Sequence, residues 1–148
     1  EGDEIIMDTF YRRIDPASFT WPEAHIDDNT LAWWGQQKPE VQFEAFTDDD
    51  RHPIQQVMLD FHRWCGGYQN MWANGPAFDI VILEQVCKQL KRGYPWQFWQ
   101  VRDSRTLFSM AKVDPRKAMQ SDLHNALADA YFQAKGVQMV YKELGIVR

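Results

Sequence analysis

The sequence of 148 residues is short of cysteine, of basic charge and of long apolar runs. Its two cysteines, Cys65 and Cys87, cannot build a disulfide framework and lack the spacing of a zinc knuckle, so a reducing, cytoplasmic setting is expected. The 16 lysines and arginines are outnumbered by 21 acidic residues, which disfavours a dense, sequence-independent grip on phosphates. No apolar run approaches the ~20 residues that a membrane span needs, so no membrane partner is expected.

The overall composition is that of a globular protein. Hydrophobic residues make up 45% and charged residues 25%, which argues against wholesale disorder. No internal repeat, low-complexity tract or linker divides the chain, so one domain over residues 1–148 is expected. The start, Glu1-Gly2-Asp3-Glu4, has no basic region followed by an apolar core, so it shows no secretory signal.

Short strand patterns alternate with helical patterns along the chain. Three strands are predicted, over residues 4–14, 68–73 and 96–101. Helices are predicted after Asp27-Asp28, from Lys38-Pro39-Glu40, from Pro53 to Gly66-Gly67, over Ala77–Leu90, from about Ser104, and over Ala126–Leu144. In the second helix, Phe43 and Phe46 form the expected apolar stripe. This alternation predicts an α/β fold with partly parallel strand pairing.

The turn after the predicted strand 68–73 is a candidate ligand site. It reads Asn74-Gly75-Pro76-Ala77-Phe78-Asp79, and ligands of open α/β sheets gather at such carboxyl ends of strands. The carboxylate of Asp79 would lie in the first helical turn, where the helix dipole favours negative charge. A purely local role at the helix start is the commoner fate of such an aspartate.

A second candidate is the pair His124 and Asp129. At ~100° per residue, these positions lie about 140° apart on a helix and do not share a face. If Asn125 is the helix N-cap, however, His124 lies in the preceding loop and can bend towards Asp129 in the first turn. The alternative is a surface histidine beside an aspartate that complements the dipole.

Two further features leave alternatives open. The segment Arg102-Asp103-Ser104-Arg105-Thr106 can present an arginine to phosphate, or an internal Asp–Arg pair can fix the turn from strand to helix. The tryptophans Trp21, Trp33 and Trp64 can belong to a homodimer face or to a packed core.

The two turns together, in their order along the chain, resemble a known family. The chain is similar to DEDD-type 3′-5′ exonucleases of the His-containing subclass (DEDDh), and most of all to phage and prophage exonuclease A-like enzymes often labelled exodeoxyribonuclease VIII. The resemblance rests on residues 30–34 with Gln37 and Glu40, and on residues 72–79, 98–106 and 124–130. The last stretch carries a fairly specific His-x-Ala-x-x-Asp-Ala pattern.

The resemblance implies an RNase H-like fold, with a mixed central sheet flanked by helices, and hydrolysis of phosphodiester bonds at the 3′ ends of single-stranded DNA or RNA. Two Mg²⁺ or Mn²⁺ ions held by carboxylates would activate water and stabilise the leaving oxygen. By position, Asp79 and Asp129 would be catalytic metal ligands, and His124 the general base, since an ordinary imidazole can accept a proton near neutral pH. Asn74 and Phe78 would line the path of the terminal nucleotides.

One motif of the family is absent. The Asp-x-Glu of its first strand supplies two of four acidic residues, and nothing in this chain matches it. The expectation is therefore an N-terminally incomplete exonuclease domain that lacks its first strands and is weakly active or inactive as written. The alternative function is a catalytically inactive nucleic-acid-binding or protein-interaction module of the same fold.

Overall fold

The computed structural model describes residues 8–118 and 125–146, and within them short strands alternate with helices. The strands are β1 (Arg13–Ile14), β2 (Arg51–His52), β3 (Met71–Ala73) and β4 (Val101–Asp103). The helices are α1 (Asp28–Gly35), α2 (Pro39–Phe46), α3 (Ile54–Cys65), α4 (Pro76–Gln89), α5 (Ser104–Phe108), α6 (Pro115–Ala118) and α7 (Ala126–Glu143). Single 3₁₀ turns occur at Pro16–Ser18 and Phe98–Gln100.

The helices begin where local capping chemistry predicts. The Asp27 carboxylate accepts a hydrogen bond from the Thr30 amide at 2.7 Å and caps α1. Helices α2 and α4 carry proline in their first turn, where the missing N–H costs nothing. Asn125 caps α7, which is the arrangement considered from the sequence for the pair His124 and Asp129.

The strands form two separate two-stranded sheets, and both pairs are parallel. Strand β1 pairs with β2, and β3 pairs with β4 in a register that puts Ala73 opposite Asp103. A mixed α/β architecture with parallel pairing is thereby confirmed. The described residues do not form the single mixed central sheet of an RNase H-like fold, which stays a prediction.

Strand boundaries are where the sequence-based predictions fail. Of the strand predicted over 4–14, only Arg13–Ile14 pairs among the residues described. The strand predicted over 96–101 is misplaced, because Phe98–Gln100 is a 3₁₀ turn in which the side chains of Gln97 and Gln100 each accept a hydrogen bond from the backbone amide of the other, and pairing starts at Val101. Strand β2 was not among the predicted strands, because its pairing depends on a partner that is distant in sequence.

Among the described residues, the core consists of three apolar clusters between the elements. One lies between α3 and α4 (Ile54, Met58, Val86, Cys87), one between α5 and α7 (Leu107, Phe108, Val137, Val140), and one beside β3 (Ala73, Ile80, Trp96). The predicted stripe of α2 is wrong, since Phe43 and Phe46 are 69% and 46% exposed and Val41 is the buried residue. Cys65 and Cys87 are free and buried. None of the helices in the described ranges combines the length and apolar character needed to cross a membrane.

Candidate functional site

The carboxyl ends of β3 and β4 lie side by side, because the two strands are parallel and in register. Ala73 faces Asp103 at the last paired position. The chain then leaves β3 through Asn74 and Gly75 into α4, and leaves β4 directly into α5 at Ser104. Two turns that are 30 residues apart in sequence therefore meet at one edge of the sheet.

Hydrogen bonds fasten these two turns to each other. The hydroxyl of Ser104, which is fully buried, lies 3.2 Å from the carbonyl oxygen of Ala73 and 3.5 Å from Oδ1 of Asn74. Nε of Arg105 donates to the same Oδ1 at 3.2 Å. The Asn74 side chain is thus oriented from α5, and Arg105 is held against the loop that precedes α4.

Asp103 fixes the turn from β4 into α5. Its carboxylate accepts hydrogen bonds from the Thr106 hydroxyl at 2.6 Å and the Arg105 amide at 3.1 Å. The Thr106 hydroxyl, helped by the amides of Arg105, Thr106 and Gly75, lowers the pKa of Asp103 below 3.8 against the opposing effect of burial. The sequence left open an Asp–Arg pair here; Asp103 binds the backbone amide of Arg105, while the guanidinium reaches Asn74.

The start of α4 points two predicted site residues outwards. Gly75 caps the helix with a φ of 106°, a conformation that a side chain would strain. Asp79 lies in the first turn of α4 and is exposed. Phe78, beside it, leaves 70% of its surface exposed.

An open pocket of about 420 Å³ lies over this edge of the sheet. It is lined by Asn74, Gly75, Ala77, Phe78, Asp79, Arg105 and Gln133. The lining combines one carboxylate, one guanidinium, two side-chain amides and one aromatic ring. Such a set can bind a phosphate group, a planar base and a cation within one small space.

The predicted site residues fall into three groups. Asn74, Phe78 and Asp79 share the pocket. Asp129 is half-buried in the first turn of α7 and does not line the pocket, although it lies one helical turn before Gln133, which does. His124 lies outside the described residues. The catalytic, metal and substrate roles of all five residues stay predictions.

Two polar side chains that line the pocket, those of Arg105 and Gln133, were not among the predicted site residues. Gln133 follows Asp129 by four positions, so helical spacing from that aspartate could have identified it. Arg105 was considered only within a segment able to bind phosphate. Its orientation depends on Asn74, which is 31 residues away in sequence, and no local pattern carries that information.

The described residues do not assemble a complete metal centre. Within residues 8–118 and 125–146, no group of three or more histidine, cysteine, aspartate or glutamate side chains could hold a metal ion. Asp79 and Asp129 alone therefore do not fit the two-ion centre that the resemblance implies.

Comparison with known proteins gives one match. The family model of the 3′-5′ exoribonuclease Rv2179c-like domain matches residues 2–141. No curated protein and no solved structure matches the chain. The match confirms the predicted class of 3′-5′ exonucleases and favours a nuclease over a non-enzymatic module. The DEDDh subclass and the kinship with phage enzymes stay predictions.

Proposed function

Because the chain belongs to the family of 3′-5′ exoribonuclease Rv2179c-like domains, we propose that it removes nucleotides from the 3′ ends of single-stranded RNA. RNA is preferred to DNA in this proposal because the family is named for exoribonuclease activity. The pocket at the carboxyl ends of β3 and β4 is the proposed site for the terminal nucleotide.

One observation carries the proposal of the site. The pocket brings together Arg105, Phe78 and Asp79, which suit the three parts of a cleaved RNA end. A guanidinium can bind two phosphate oxygens at once. An exposed phenyl ring can stack on any base. A carboxylate beside them can bind a cation or orient a water molecule.

The proposed reaction is hydrolysis of the last phosphodiester bond. The oxygen of a water molecule bonds to phosphorus, and the bond from phosphorus to the 3′ oxygen of the preceding nucleotide breaks. His124 accepts a proton from the water, and the leaving oxygen gains a proton to become the new 3′ hydroxyl. The products are a nucleoside 5′-monophosphate and a strand shortened by one residue.

For a metal ion, we propose only which residues would bind it. Asp79 and Asp129 are the acids that would donate oxygen to Mg²⁺ or Mn²⁺, two ions that prefer oxygen ligands and accept substrate phosphates and water as the remainder. Within the described ranges, no group of three or more histidine, cysteine, aspartate or glutamate side chains could hold a metal ion.

The test compares RNA and DNA strands of one sequence, each labelled at the 5′ end, with the protein expressed from its complete natural reading frame. We expect a ladder that shortens by single nucleotides from the 3′ end, on RNA in preference to DNA, and that disappears with EDTA. Release of label as a mononucleotide from a 5′-labelled strand in the first moments, or internal cleavage, would contradict the 3′-5′ direction.

A further inference from the structure

Helix α7 is anchored unevenly along its length. Its buried residues are Gly136, Val137 and Val140, and the two valines pack with Leu107 and Phe108 of α5. The first half, residues 126–135, has no buried residue. That half carries Asp129 and the pocket residue Gln133, so no fully buried side chain of the same half fixes the position of these two residues.

The first turn is held through Asn125. Its Oδ1 accepts hydrogen bonds from the amides of Leu127 and Ala128, at 3.0 and 3.1 Å. Its Nδ2 donates to Oε1 of Glu44 on α2 at 3.4 Å. The residue that caps α7 is thus tied to an element 81 positions earlier in the chain.

The side chain of Glu44 is itself held by residues near the N-terminal end of the chain. Nη2 of Arg13 lies 2.6 Å from Oε1 of Glu44 in an ion pair, and the Tyr11 hydroxyl donates to the same oxygen at 3.3 Å. Arg13 belongs to β1, which is hydrogen-bonded to β2. The carboxylate of Glu44 is therefore the point at which three separate segments meet.

We propose that Glu44 is a positioning residue, which fixes the N-terminal half of α7 through Asn125 and so sets where Asp129 and Gln133 lie relative to the pocket. The part of this inference that concerns catalysis rests on the proposed function. Its structural part, the dependence of the first half of α7 on Glu44, is independent of that function.

The test compares the natural protein with Glu44→Ala, Glu44→Gln and the control Glu40→Ala. The glutamine keeps an oxygen that accepts from Asn125 but loses the ion pair with Arg13. Glu40 is an exposed carboxylate on the same helix, and its removal controls for loss of charge. Two quantities are measured: amide hydrogen exchange of residues 126–133 against 136–143, and kcat and KM for 3′-end removal.

We expect Glu44→Ala to speed exchange in residues 126–133 while leaving 136–143 unchanged, and to lower kcat about 10-fold to 100-fold, since small displacements of reacting groups cost this much. We expect Glu44→Gln to restore most of both values, and Glu40→Ala to match the natural protein. Unchanged exchange and kcat in Glu44→Ala would overturn the proposal, as would a loss in Glu44→Gln equal to that in Glu44→Ala. If the natural protein shows no exonuclease activity, the proposed function fails, and the exchange comparison still decides the role of Glu44.

Discussion

Phe78 is a large apolar side chain that contributes surface to a pocket and almost nothing to the core. Truncation of this side chain should therefore weaken binding without affecting folding. We expect Phe78→Ala to raise KM about 5-fold to 160-fold with little change in kcat, because stacking of one base on an aromatic ring contributes roughly 1–3 kcal/mol. Steady-state kinetics on single-stranded RNA measure this.

The matched control for Phe78 is Phe43, which is 69% exposed on α2. Phe43→Ala should leave KM unchanged, and Phe78→Trp should restore most of the affinity because it keeps an aromatic face. Equal KM values for Phe78→Ala and the natural protein would remove Phe78 from the binding site.

Asp103 links stability to pH, because its carboxylate caps α5 in ionised form. Its pKa is lowered in the folded protein, chiefly by the Thr106 hydroxyl. Its stabilising effect is therefore present above the unfolded value of 3.8 and is lost as the pH falls through the lower folded value.

We expect Asp103→Ala to lower the free energy of unfolding at pH 7 by roughly 1 kcal/mol, as for other caps, and the gap to the natural protein to be narrower at a pH below 3.8, the ordinary pKa of the carboxyl. Asparagine also caps helices but does not titrate, so Asp103→Asn should stay close to the natural protein at pH 7 and not follow that pH dependence. Thermal unfolding at both pH values measures the gap, and a gap that does not change with pH would refute the role of the ionised carboxylate.

At the scale of elements, the sequence predicts helix starts well and strands poorly. The caps at Asp27 and Asn125 are local, since each side chain bonds amides two or three residues ahead. Strand β4 depends instead on a partner 30 residues away, and so the pattern over 96–101 misplaced it. The same reason explains the error in α2. Its periodicity predicted Phe43 and Phe46 as the apolar stripe, but the residue of α2 that the tertiary fold buries is Val41.

The residues of the candidate site show the same difference between local and long-range information. Asn74, Phe78 and Asp79 are consecutive or nearly so, and one turn sufficed to predict them. Arg105 and Gln133 reach the same pocket from α5 and α7, which only the tertiary fold brings together.

Packing of α5 against α7 gives a prediction for the element that carries Asp129. Phe108 is 2% exposed and packs with Val137 and Val140. We expect Phe108→Ala to destabilise the protein by about 3–5 kcal/mol through the lost contacts and the cavity, measured by chemical denaturation. Phe98→Ala, at an 83% exposed position, should change stability by less than about 0.5 kcal/mol. Similar losses in both variants would show that the cluster is not a core.

At the scale of the whole molecule, the family match spans residues 2–141 and so includes both sheets and nearly all of α7. The net charge of −5 places Arg105, the cation among the residues that line the pocket, in an acidic background. Binding at the pocket therefore relies on placed contacts such as Arg105, and not on a general positive field. The homodimer stays a prediction: Trp33 is 44% exposed, whereas Trp21 and Trp64 are half-buried, and Trp21 packs against the core beside α3.

The measurement that tests the proposed site most directly is a time course on 5′-labelled RNA with Asp79→Asn. Its matched control is Asp28→Asn, the same change in the first turn of another helix, α1, where the aspartate is also exposed. Both variants should fold with Tm values near that of the natural protein, since each loses only an exposed charge at a helix start.

We expect the natural protein and Asp28→Asn to shorten the RNA from its 3′ end at equal rates, and Asp79→Asn to be slower by roughly 10²-fold or more, as for other losses of a group that stabilises the transition state. Shortening by Asp79→Asn at the natural rate would contradict the assignment of this pocket as the active site.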